Sequence, residues 1–103
     1  MLSSDNMDVE ELARILDGLG HPLRLKIVGV LAKENRPMYL NEIAIALGIS
    51  RALAKIHLKK LEKAGIVKSR VVMDEKRGMA LRFYELVPFD VRISPDILKE
   101  VVG

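Results

Sequence analysis

Between Leu40 and Gly65 the chain has to make two helices with almost nothing between them. Leu40, Ile43, Ala44 and Leu47 follow the i, i+3, i+4, i+7 spacing of one buried helical face. From Arg51 onward the pattern repeats: Ala54, Leu58 and Leu61 fall together, with Leu53, His57 and Ala64 at the edge of that face. Only Gly48-Ile49-Ser50 stands between. Gly48 permits a left-handed backbone, and Ser50 is a good N-cap for the helix that follows. Gly65 ends the second helix after Ala64. Helix, tight turn, helix is the outline of a helix-turn-helix.

The flanking segments extend this outline. Val9, Leu12, Ile15, Leu16 and Leu19 form a helical stripe over Asp8–Leu19, with Asn6 or Asp5 as the expected cap and Gly18 and Gly20 as its end. Pro22 suits the first position of a second helix whose face carries Leu23, Ile27, Val30 and Leu31. Asn35-Arg36-Pro37 breaks it, and Met38–Tyr39 is a very short strand. Residues 67–73 and 79–87 are β-branched and aromatic, and Asp74–Gly78 between them reads as a hairpin turn. Val87, Phe89, Val91 and Ile93 alternate along an extended segment. Ser94-Pro95-Asp96 then starts a last helix.

The expected fold is therefore mainly α with a small β-hairpin (α+β), a winged helix-turn-helix forming one domain over residues 1–103. Its parts are an N-terminal helix (1–20), a second helix (21–35), the helix-turn-helix (40–64), a wing hairpin (66–87) and a C-terminal helix (94–102). A chain of 103 residues is long enough for one hydrophobic core and not for two.

Charge is distributed unevenly. The net charge is +3, but residues 1–20 carry one basic and five acidic side chains (−4) and residues 51–82 carry ten and three (+7). A one-sided excess of this kind attracts polyanions. On a helical wheel, the face opposite Ala54, Leu58 and Leu61 collects Arg51, Ala52, Lys55, Ile56, Lys59 and Lys63. Arg51, Lys55 and Lys59 form an i, i+4, i+8 row that slightly destabilises an isolated helix. An external anion would neutralise it. A DNA major groove admits an α-helix and is lined with phosphates.

Arg51 could pair with guanine, and Ala52 or Ile56 could touch a thymine methyl; Lys59 and Lys63 lie further along and suit phosphates. Lys76 and Arg77 sit at the hairpin tip, with Lys68, Arg70 and Arg82 on its strands. A basic tip beside a basic helix fits a wing lying along a neighbouring minor groove. The competing reading, a merely solvated surface, explains the helix alone but not both elements together. His57, at the edge of the buried face, is expected to pack or hydrogen-bond. Arg24 is expected to be solvated or paired with an acid such as Glu42, and Tyr84 to pack the wing on the core.

Other chemistry finds little support. There is no cysteine, and His21 and His57 match no local zinc spacing, so no metal and no cofactor are expected. No glycine-rich phosphate loop is present, and Asp74–Glu75 are adjacent carboxylates on a turn rather than in a cleft. An enzyme is not expected. The acidic first residues do not resemble a targeting peptide and no apolar run is long enough to span a bilayer, so the expected location is cytoplasmic. Few thermolabile side chains and many Lys, Arg and Glu would suit a thermophilic source.

The segments "LGHPLRLKIVGVL", "EIAIALGIS" and "AKIHLKKLEKAGIV", followed by a hairpin closing on Phe83–Tyr84, closely resemble the ArsR-type winged helix-turn-helix repressors over about residues 8–87. The resemblance implies a homodimeric transcription regulator on a near-palindromic operator. It places Arg51, Ala52, Lys55, Ile56 and Lys59 in the recognition helix and Lys76–Arg77 in the wing. Its first and last helices form the dimer interface, here Val9, Leu12 and Leu16 with Ile97, Leu98 and Val101. Asn41-Glu42-Ile43-Ala44-Ile45 stands where many members carry a metal-sensing cysteine pair, and no histidine lies beyond His57, so metal sensing is not expected. The effector, if one exists, is not legible. Two rival readings follow from the same residues: a winged-helix module that binds protein, and an architectural DNA binder indifferent to sequence.

Overall fold

The computed structural model describes residues 2–103; Met1, the first residue of the expected segment 1–20, lies outside the described residues. In chain order the elements are β1 (Leu2–Ser3), a 3-10 turn (Ser4–Asn6), α1 (Val9–Leu19), α2 (Pro22–Glu34), β2 (Met38–Tyr39), α3 (Leu40–Leu47), α4 (Arg51–Lys63), β3 (Val67–Asp74), β4 (Met79–Leu86), β5 (Phe89–Asp90) and α5 (Pro95–Val102). The mainly helical winged helix-turn-helix expected from the sequence is the fold observed.

Local chemistry sets most boundaries. The Ser50 hydroxyl accepts a hydrogen bond from the Leu53 N–H at 3.1 Å and so caps α4. Gly48 takes the left-handed backbone (φ 67°) that closes α3. Pro22 opens α2, and Asn35 closes it in the left-handed region. Two expectations change. Asp8, not Asn6 or Asp5, caps α1, accepting from the Glu11 N–H at 2.8 Å; Asp5 and Asn6 belong to the preceding 3-10 turn. Gly18 does not end α1 but lies buried within it, and Gly20 is the C-cap.

The sheet order is β2-β4-β3, antiparallel throughout, with Met38 opposite Tyr84 and Tyr39 opposite Phe83. β2 is so short that Met79–Arg82 of β4 have no strand on that side. One core holds the body together: Leu12 and Ile15 from α1, Ile27 and Leu31 from α2, Ile43 from α3, Leu58 and Leu61 from α4, with Met38, Ile66, Val67 and Tyr84 from the sheet side. Truncating a fully buried Leu58 to alanine costs about 2–5 kcal/mol in such a setting.

The molecule measures 54 × 23 × 21 Å. Its radius of gyration of 15.4 Å exceeds the roughly 13 Å of a compact chain this long. Both ends of the fold lack cover. The outer wing exposes Val71, Val72, Met73 and Met79, and α5 has no buried residue. The sequence did not foretell the parallel pairing of β1 with β5, Leu2 opposite Phe89 and Ser3 opposite Asp90, which fastens the start of the chain to the segment before α5.

Candidate nucleic-acid interface

The buried stripe of α4 (Ala54, His57, Leu58 and Leu61) seats the helix on the core. The same rotation leaves Arg51, Ala52, Lys55, Ile56 and Lys59 exposed. Ser50 stands just before them and spends its hydroxyl on the cap. None of Arg51, Lys55 and Lys59 forms an ion pair among the described residues, so their charge is directed outward. Lys63 is placed differently. It lies at the far end of α4, where it shares a concavity with Asp8, Glu10 and Glu11 at the acidic start of α1.

His57 is buried (7 % exposed) and its Nδ1 lies 3.2 Å from Nη1 of Arg24. A guanidinium has only donors, so that imidazole nitrogen accepts. Burial first, then the neighbouring His21 and Arg24 charges, hold the His57 pKa below the ordinary imidazole value. The packing and hydrogen-bonding role read for His57 thus describes what it does. The reading of Arg24 needs correction. Its partners are His57 and the Asp17 carbonyl, not Glu42. Glu42 is taken by Arg36, with Nη2 2.6 Å from Oε2, and also accepts from the Tyr39 N–H at 3.2 Å. The Arg36 hydrogen bond holds the Glu42 carboxyl below its ordinary pKa.

The wing carries its basic residues in three places. At the tip, Asp74 Oδ1 accepts from the Lys76 and Arg77 N–H groups at 3.1 and 3.3 Å, and Gly78 turns the chain with φ 64°. This leaves the Lys76 side chain pointing to solvent, while Arg77 Nε stands 3.4 Å from Asp74 Oδ2. Arg70, opposite Phe83 on β3, lies on the far strand. Arg82, opposite Val71, donates to the Ser69 hydroxyl at 3.0 Å, which in turn donates to Glu62 of α4 at 2.7 Å. Tyr84 is buried and its ring packs the wing on the core, as its position implied.

Along the free side of β4 runs a concavity of about 350 Å³, lined by Tyr39, Leu40 and Asn41, by Arg51, and by Arg77, Met79, Ala80, Leu81 and Arg82. The sequence pattern places Arg82 on a wing strand but not beside Arg51, and it does not bring Asn41 to this surface. That grouping depends on how far β2 extends, which no local pattern fixes.

The proposed dimer residues divide. Val9 (47 % exposed), Leu16 and Leu98 are open, and Ile97 and Val101 are half-buried. Leu12 is a correction: it is 2 % exposed and belongs to the core of the single chain. It lies three residues from Val9 and from Ile15, and it belongs to the buried core cluster rather than to the outer face of α1. No group of three or more metal-ligating side chains occurs among the described residues, and no described helix is long and apolar enough to cross a membrane.

Comparison with known proteins agrees with this geometry. Residues 19–70, half of the chain, match the helix-turn-helix domain family. An uncharacterized HTH-type transcriptional regulator of Methanocaldococcus jannaschii is 33 % identical over 95 residues, covering 92 % of this chain and 96 % of that protein. Among solved structures, the crystal structure of a possible transcriptional regulatory protein (fragment 1–100) from Mycobacterium bovis superposes with a TM-score of 0.63 at 21 % identity, covering 91 % of this chain and 86 % of the other. A solution structure of a homodimeric winged helix-turn-helix DNA-binding domain from Mycobacterium bovis, described as a possible ArsR-family regulator, gives the same TM-score and identity over 91 % of this chain and 74 % of that one. The fold, the matched segment and the relative converge: the chain belongs to the helix-turn-helix transcriptional regulators and has a winged helix-turn-helix fold.

Proposed function

We propose that this chain is a sequence-specific, double-stranded DNA-binding regulator that acts as a homodimer on a near-palindromic site, with α4 in the major groove and the wing against the adjacent minor groove. The observation that carries the reading is the pairing of two exposed basic elements. Arg51, Lys55 and Lys59 stand on the open face of α4 with no ion-pair partner among the described residues, and Lys76 and Arg77 stand at the wing tip. Ala52, Lys55 and Ile56 lie where a recognition helix meets base edges, and Lys59 suits a phosphate. Lys63 and Arg70 stand apart from that row and contribute long-range attraction.

A second copy supports the same reading. The homodimeric neighbour shares the fold. Here α5 is amphipathic, with Ile97 and Val101 half-buried and no residue fully buried, and its Leu98 and Val102 stay exposed on the single chain, a surface that a second copy would cover. A two-fold dimer would present two α4 helices to half-sites one helical turn apart.

The test is a titration of labelled duplex DNA across a salt series, beside the Arg51→Ala/Lys55→Ala double variant. Each phosphate neutralised steepens the log–log slope by about 0.9. The expected result is a steep slope for the wild type and lost affinity in the double variant. An absence of binding at low salt would favour the protein-binding module instead, for which the exposed Val71, Val72, Met73 and Met79 of the wing are the specific support. Equal affinity for all duplexes would favour the architectural binder.

A further inference from the structure

We infer that Arg51 is not a base reader but one corner of a clamp that holds a single DNA backbone strand between the helix-turn-helix and the wing, with Arg77 and Arg82 as the other corners. The inference rests on the DNA-binding reading and assigns roles within it. Arg51 is the first residue of α4, and side chains on a helix lean back toward its N-terminus. Arg51 heads the outward row that Lys55 and Lys59 continue, and from that position it also lines the concavity beside β4, together with Arg77 and Arg82.

Three arginines therefore border one space. Of the three, Arg77 alone forms an ion pair with a carboxylate among the described residues. Arg82 is held by the Ser69 hydroxyl, itself anchored on Glu62, and that single hydrogen bond leaves most of its donors free. Arg51 has no intramolecular hydrogen bond or ion pair among the described residues. The walls between these cations are largely apolar: Leu40, Met79, Ala80 and Leu81. Low-dielectric walls focus the field of the charges on whatever enters.

At about 350 Å³ the space holds on the order of ten waters, judged from a share of roughly 30 Å³ each. A phosphodiester with its sugar fits that volume, and fork-shaped guanidiniums match phosphate oxygens. A base edge engages one guanidinium at a time, whereas three arginines around one space match a phosphate anion. Asn41, at the second position of α3, adds a neutral donor to the same wall. Base reading then falls to Ala52, Lys55 and Ile56.

The experiment compares two duplexes across a salt series: one selected from random sequence by the wild-type protein, and a scrambled version of it. Wild type, Arg51→Ala, Arg51→Lys, Arg82→Ala and Lys55→Ala are titrated, with thermal melting to verify the fold. Arg51→Ala and Arg82→Ala should each weaken both duplexes by the same factor and reduce the slope by about 0.9. Arg51→Lys should restore most of that slope. Lys55→Ala should narrow the ratio between the duplexes. A tenfold loss of that ratio in Arg51→Ala would overturn the inference, as would unchanged affinity for both duplexes. Failure of the wild type to bind any duplex would overturn the DNA-binding reading itself and is distinguishable from either result.

Discussion

Gly18 in α1 and Ala64 at the end of α4 approach so closely that a Cβ on Gly18 would stand 2.5 Å from the Cβ of Ala64 and 3.0 Å from Cδ1 of Ile66. The first of these atoms is fixed to the backbone and cannot move aside. Gly18→Ala therefore sets two effects against each other. Helix propensity favours alanine by about 1 kcal/mol, while overpacking a close contact costs about 1–3 kcal/mol. The clash should win, and the variant should lose on the order of 1–2 kcal/mol in urea denaturation. Adding Ala64→Gly should return part of that loss. A single variant more stable than wild type would show that α1 is free to shift on α4.

Folding and binding can be separated at Ser50. Its hydroxyl caps α4 at 3.1 Å, so Ser50→Ala should cost about 1 kcal/mol. Ser50→Asp keeps a cap and adds a negative charge favourable to a helix start, so its melting temperature should stay near wild type. The same charge stands beside Arg51 and should repel a phosphate backbone. Weak DNA binding by a well-folded Ser50→Asp protein is the expected outcome; unchanged binding would remove the start of α4 from the interface.

His57 gives the fold a dependence on acid. Its pKa is lowered in the folded chain by burial and by the charges of His21 and Arg24, whereas the unfolded chain binds a proton at about pH 6.5. The unfolded state therefore holds more protons below that pH. Stability is complete above it and falls as the pH drops from about 6.5 toward the folded value. Chemical denaturation between about pH 7 and 5 should show this slope, and His57→Gln should flatten it. An equal slope in the variant would assign the acid sensitivity to another group.

The outward sides of α1 and α5 predict an assembly. Val102 is 76 % exposed and Leu98 41 %, on a helix with no buried residue. Leu98→Glu/Val102→Glu should convert a dimer into a folded monomer in sedimentation velocity and weaken DNA binding with it. A variant that remains dimeric would place the interface elsewhere, with the open Val9 and Leu16 of α1 as the next positions to change.

What was legible in the sequence was local. Gly48 and Ser50 bracket the turn because a left-handed residue and a capping hydroxyl each act within a few positions. The α4 stripe was readable for the same reason: burial follows the helical period. Contacts between distant positions were not. Charge type offers Arg24 either solvent or an acid such as Glu42, but Arg36 is six residues from Glu42 and reaches it across the bend into α3. Gly18 was read as a helix end because its need, room for Ala64, lies in another element. In the candidate site, Lys55 and Lys59 were visible on the wheel. The grouping of Arg51, Arg77 and Arg82 around one concavity was not, because it depends on where β4 runs beside α3.

The pairing of Leu2–Ser3 with Phe89–Asp90 also bears on how the protein is made. The two strands are nearly a full chain apart, and contacts of such long sequence separation form slowly. On a ribosome, the helix-turn-helix and the wing are complete before Phe89 is added. The strand that roots α5 closes only afterwards. In the dimer proposed above, a chain released before α5 is made would carry its finished α4 yet lack the helix on which a second copy would rest, a solitary reader rather than a matched pair.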